Sequence, residues 1–98
     1  MASNRSYINE IGTVIRLNTY FDLAGYTIFK IKVSKPSGAT QDWTATQDGA
    51  TAIIQHTTIA NDLDEIGPYK LQAYIENAAG TQKHWGDVVI YEILALFT

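Results

Sequence analysis

The residues of this sequence whose types could hold a metal or move protons are few: His56, His84 and the acids of Asn61-Asp62-Leu63-Asp64-Glu65. With no cysteine in the chain, a zinc site would need carboxylates to complete four ligands, and no His-x-x-x-His or equivalent spacing exists. His56 reads as an ordinary polar residue on a strand face, and His84, beside Trp85, as a solvent-facing strand residue or part of an aromatic binding patch. The acidic run offers the oxygen donors that calcium takes, yet it lacks the glycine and the spacing of an EF-hand loop. Capping of a helical turn accounts for Asp62 and Glu65 more simply. A lysine-to-asparagine cross-link under a buried acid would suit a small domain without cysteines, but the best-placed lysines, Lys30 and Lys32, face outward on their expected strand. Catalysis requires a nucleophile with its base, paired carboxylates or an open metal position, gathered in a cleft. The residues point instead to a protein that is not an enzyme, with no catalytic, cofactor-binding or metal-binding residues and no cofactor.

The elements that must position any other kind of site are short strands. A chain of 98 residues suits one core, since a second would leave both halves too small to be stable. At 46% hydrophobic and 17% charged it is too apolar for intrinsic disorder. Alternating apolar and polar residues recur between turn signals. They place Ile15, Leu17 and Phe21 on one face of Thr13 to Phe21, with Ile11 extending it, and Phe29, Ile31 and Val33 inward in Tyr26 to Lys35. Lys35-Pro36-Ser37-Gly38 reads as a tight turn into Thr40 to Thr46, and Asp48-Gly49 as a two-residue hairpin turn into Thr51 to Thr58. The facing of that strand is open, because Ile53 and Ile54 are adjacent. One turn of helix is expected between Ile59 and Gly67. Tyr69 to Asn77 then puts Tyr69, Leu71, Ala73 and Ile75 inward, and Asn77-Ala78-Ala79-Gly80 turns into Thr81 to Gly86. The last segment, Asp87 to Phe97, is apolar on both faces.

Leu63-Asp64-Glu65-Ile66-Gly67-Pro68-Tyr69-Lys70-Leu71-Gln72-Ala73 resembles the Asp-x-Gly-x-Tyr-x-Cys-x-Ala run of immunoglobulin domains, with Leu71 in place of the cysteine and the acid one residue out of register. In that family the tyrosine hydroxyl bonds back to the upstream backbone. The resemblance implies a core cluster of Ile31, Trp43 and Leu71 in place of the disulfide and strand-C tryptophan, with Tyr69 at the corner. The expected fold is therefore all-β, an immunoglobulin-like antiparallel sandwich of about seven strands with one short helical turn before the penultimate hairpin. Residues 1–6 are expected to form a flexible N-terminal arm and 7–98 the single domain.

Surface chemistry points to contacts. A net charge of −3 with dispersed Lys and Arg supplies no basic stripe for nucleic acid. No apolar run approaches a membrane span, and Met-Ala-Ser-Asn-Arg-Ser-Tyr lacks the apolar region of an export signal. The C-terminal strand offers a protein interface through Val88, Ile90, Leu94, Leu96 and Phe97, and Tyr74 and Trp85 an aromatic surface patch, with Tyr26 as a further anchor.

Gly12-Thr13-Val14-Ile15, Asp22-Leu23-Ala24-Gly25-Tyr26, Ile28-Phe29-Lys30-Ile31-Lys32-Val33, Lys35-Pro36-Ser37-Gly38 and Asp62-Leu63-Asp64 leading to Gly67-Pro68-Tyr69 are together similar to small immunoglobulin-like structural proteins of tailed bacteriophages. These include capsid decoration, neck, tail and baseplate components and the N-terminal domain of upper-baseplate proteins. The resemblance implies a virion protein made in the host cytoplasm and docked as repeated copies on other virion structural proteins, with self-association, and without nucleic acid or membrane as partner. An alternative is a module that recognises carbohydrate or a cell surface through exposed aromatic residues. A third is a calcium-dependent adhesion domain.

Overall fold

Period-two alternation dictates half-buried strands, and the computed structural model, which describes residues 5–49 and 52–96, contains eight of them and no helix among those residues. They are β1 (Arg5–Tyr7), β2 (Val14–Asn18), β3 (Tyr26–Ser34), β4 (Thr40–Thr44), β5 (Thr46–Gln47), β6 (Ile53–Thr57), β7 (Gly67–Asn77) and β8 (Lys83–Leu94). One sheet has the order β1-β8-β7-β3-β4 and the other β2-β6-β5. Their apolar faces meet in one core, to which the first sheet gives Ile31, Val33, Trp43, Leu71, Ala73, Ile75 and Ile93 and the second Ile15, Leu17 and Ile54. Leu23 and Leu63, from connections, are buried in the same cluster. Ile54, not Ile53, is the buried member of the adjacent pair.

Turn chemistry sets the registers. Gly38, at φ 94°, donates to Lys35 O at 2.8 Å and brings Ser34 opposite Thr40. Asn77 Oδ1 accepts from the N–H groups of Thr81 and Gln82, at 2.9 and 3.1 Å, and closes the β7–β8 hairpin.

Seven expectations are corrected. The helical turn is absent: Ile59 to Asp62 forms a hydrogen-bonded turn, Asp62 N to Ile59 O at 3.2 Å, with Asn61 at φ 73°. Asp62 does cap, but backwards, its Oδ2 accepting the Ile59 N–H at 2.9 Å. Residues 5 and 6 of the expected arm belong to β1, which pairs in parallel with β8, Arg5 opposite Glu92 and Tyr7 opposite Leu94. Residues 1–4 lie outside the described residues. That parallel pair also departs from a purely antiparallel sandwich. The buried Ser6 hydroxyl explains the attachment, since it meets the Tyr91 hydroxyl at 2.6 Å and so satisfies both polar groups.

The two C-terminal segments are one strand, β8, bulged where the pairing passes from Gln72 with Val88 to Tyr74 with Trp85. The β5–β6 loop is longer than Asp48-Gly49 alone, for Gln47 pairs with Ile54 and Asp48 N–H reaches Ile53 O. Ile11 and Phe21 fall outside β2 and are exposed. Finally, Ile31 and Leu71 do not face each other from opposite sheets. They lie on adjacent strands of one sheet, where Ile31 pairs with Trp43 and Ala73, and Val33 with Leu71. All four expected core residues, Ile31, Trp43, Tyr69 and Leu71, are buried.

Candidate docking surface

On the outward side of the five-stranded sheet, cross-strand pairing brings distant residues into a grid. Trp85 stands opposite Tyr74, Val88 opposite Gln72 and Ile90 opposite Lys70. Lys30, Lys32 and Ser34 continue these rows on β3, and Thr44, Asp42 and Thr40 on β4. The bulge makes the β8 row possible: Trp85 and Val88 are three residues apart and would otherwise point to opposite sides. Gly86 permits it, because a Cβ there would lie 3.3 Å from the Ala73 Cβ, and Gln72 Nε2 donates to Gly86 O at 2.9 Å.

The row is wet and apolar, with Trp85 53%, Val88 55% and Ile90 49% exposed. Tyr74 is different. Trp85 packs against its ring at 5.2 Å between centroids, Lys32 Nζ lies 5.1 Å from the ring centre, and its hydroxyl donates to Glu76 Oε1 at 2.6 Å. That bond to a carboxylate, ahead of burial, raises the Tyr74 phenol above its ordinary value. Lys32 Nζ also meets Asp42 Oδ2 at 2.9 Å, while Lys70 has no ion pair among the described residues. A shallow groove of about 420 Å³ runs between Val88, Gln72, Lys70, Lys32, Asp42 and Thr40.

Of the expected interface, Val88 and Ile90 lie on this face, Leu94 is half-buried opposite Tyr7, and Leu96 is exposed beyond the strand end. Phe97 lies outside the described residues. Tyr74 and Trp85 are together, but Tyr74 supports Trp85 and is itself buried. Sequence reasoning missed Lys70 and Lys83 as companions of the row, although the alternation that turns Gln72 and Tyr74 to the outer face carries the signal.

The histidines do structural work. His84 points away from Trp85 and stacks on Phe21 at 4.7 Å with Tyr26 edge-on at 5.9 Å, so it is no part of the patch. His56 is not a plain surface residue: it stacks on Trp43 at 4.8 Å, with Nδ1 2.8 Å from Thr44 O and Nε2 2.8 Å from Asp62 Oδ2. Both ring nitrogens face acceptors, a carbonyl and a carboxylate. The acids of the run diverge, Asp62 to His56, Asp64 to Lys35 Nζ at 2.6 Å and Glu65 to the N–H and hydroxyl of Ser37. Among the described residues no three His, Cys, Asp or Glu side chains converge on a metal position.

The chain matches no protein-family model, no curated protein and no solved structure with which it was compared.

Proposed function

We propose that the chain is a non-enzymatic docking module of immunoglobulin-like type that attaches in repeated copies to a virion assembly of a tailed bacteriophage, using the outer face of its five-stranded sheet. The observation that carries the reading is the exposed row Trp85, Val88 and Ile90, flanked by lysines. An apolar row of this kind, held open to water by a rigid sheet, is stabilised when a partner covers it.

The immunoglobulin assignment has two supports. A sheet of β1-β8-β7-β3-β4 against β2-β6-β5 is the order that strands A′, G, F, C and C′ against B, E and D would give. The Glu65 N–H donates to the Tyr69 hydroxyl at 2.9 Å, the corner bond of that family. In this assignment β3 is strand C, so Ile31 takes the central core position and Trp43 falls on C′, one strand later than the sequence suggests. The phage context rests on the resemblance of the motifs.

Val88→Asp with Ile90→Asp is the test. The doubly substituted chain should keep the wild-type melting temperature, since both side chains are exposed, and lose the concentration-dependent association and particle attachment of the wild type. The groove against Val88, lined by Lys32, Asp42, Gln72 and Thr40 on the face that also carries Trp85, favours a second reading, a carbohydrate site. A chain that stays monomeric, ignores phage particles and binds a glycan array in a manner lost with Trp85→Ala would replace the first reading with the second.

A further inference from the structure

Charge on this molecule is divided by surface. Lys30, Lys32, Lys70 and Lys83, four of the five lysines, sit on the outer face of the large sheet, where the acids are Asp42, Glu76 and, opposite Arg5, Glu92. Asp42 is matched by Lys32, while the Tyr74 hydroxyl holds Glu76 without cancelling its charge, so the lysines leave the face net positive. Yet the chain as a whole is at −3.

Much of the opposite charge gathers at one end. There the β1–β2 connection, the β3–β4 turn and the β6–β7 connection are tied together. Asn9 N–H donates to Leu63 O at 2.7 Å, Gly12 N–H to Thr58 O at 2.8 Å and Ser37 to Glu65. Neutral donors hold two of the carboxylates. Glu10 accepts from Tyr7 N and Thr13 Oγ1, each at 2.7 Å, and Glu65 from Ser37 N and Oγ at 3.0 and 2.9 Å. These bonds fix the carboxylates without cancelling their charge, whereas Asp64 is matched by the buried Lys35. Beside them stand Ile11, Ile59 and Ile66, 68%, 63% and 55% exposed.

Face and end are therefore complementary in both respects, apolar with positive against apolar with negative. Two faces brought together would oppose lysines to lysines, and two ends acids to acids, and each such like-charge contact is unfavourable. We propose that the lysine-flanked face of one copy receives the isoleucine- and acid-bearing end of a second copy, so that the chain associates head to tail. The inference rests on the docking role of the β8 row and adds its occupant. A contact of this heterologous kind leaves each copy with one free face and one free end, and so builds rings or filaments instead of stopping at a dimer.

The experiment uses two variants of the full chain, a face variant, Val88→Asp with Ile90→Asp, and an end variant, Ile59→Lys with Ile66→Lys. If either misfolds by circular dichroism, the exposed single substitutions Lys70→Glu and Ile11→Lys replace them. Sedimentation velocity at low salt should show the wild type growing past the dimer with concentration, and retreating when salt screens the charges. Each variant by itself should sediment as a monomer, and their equimolar mixture should stop at a one-to-one dimer, because it holds one working face and one working end. An end variant that associates as the wild type does, beside a face variant that does not, overturns the head-to-tail contact and leaves the docking face standing. A face variant that associates like the wild type overturns both. A wild type that is monomeric at every concentration, yet still attaches to particles through Val88 and Ile90, overturns self-association alone.

Discussion

Removing the Tyr69 hydroxyl leaves the Glu65 N–H without its partner at a corner that water reaches poorly, and Tyr69→Phe should lower stability by about 1 kcal/mol in urea unfolding. Burial, opposed in part by that N–H, raises the Tyr69 phenol above its ordinary 10.0. The folded state thus holds this proton more tightly than the unfolded chain does. The linked stability is present below pH 10 and is lost as pH rises through the folded value. Alkaline unfolding followed by fluorescence should consequently be less steep in Tyr69→Phe than in the wild type. His56→Ala strips both the Thr44 carbonyl and the Asp62 carboxylate of a hydrogen-bond partner and uncovers Trp43, and should cost about 1–3 kcal/mol in thermal melts. Tyr69, Leu71 and Ile31 were legible as core because strict alternation marks them. His56 was not, since its meaning depends on Asp62, which reaches it through a turn that local pattern misassigns to a helix.

At the level of the elements, two glycines separate backbone strain from simple crowding. Gly67 opens β7 at φ 125°, and a Cβ there would come within 3.0 Å of Pro36 Cγ in the β3–β4 turn. Gly67→Ala should cost about 1–3 kcal/mol, read as a lower denaturation midpoint at unchanged slope. Gly86→Ala brings a Cβ to 3.3 Å from that of Ala73, tighter than ordinary packing but without backbone strain, and should cost about 1 kcal/mol. Turns were readable wherever one residue type enforces the conformation, as at Gly38 and Asn77. The β8 bulge was not readable, because its register depends on β7 opposite, and Thr81 to Phe97 consequently divides into two segments on pattern alone. The turn at Ile59 to Asp62 shows the same limit: an acid three residues from a possible cap suits both a helix start and this turn.

For the molecule as a whole, strand existence was local information and strand order was not. Nothing along Tyr26 to Ser34 says that its neighbour in the sheet is β7, some forty residues on, and under the proposed immunoglobulin assignment this is what displaces Trp43 by one strand. The proposed docking surface was half visible for the same reason. Val88 and Ile90 follow from alternation, whereas the lysines beside them come from β3 and β7 and join the row only once the sheet is built. The charge division between sheet face and loop end exists only at this scale, and the paired variants test it there.

The parallel contact between β1 and β8 bears on how the domain would take a load. Because the two strands run the same way, a pull that separates the ends of the described chain drags Arg5–Tyr7 backward along Glu92–Leu94 instead of peeling it away. The hydrogen bonds of that contact, together with Ile8 N–H to Leu94 O, are then stretched at once. In single-molecule extension the domain should resist in one sharp event, and Ser6→Pro, which removes a backbone donor from the contact, should lower the rupture force while leaving β7 and the core pairing intact.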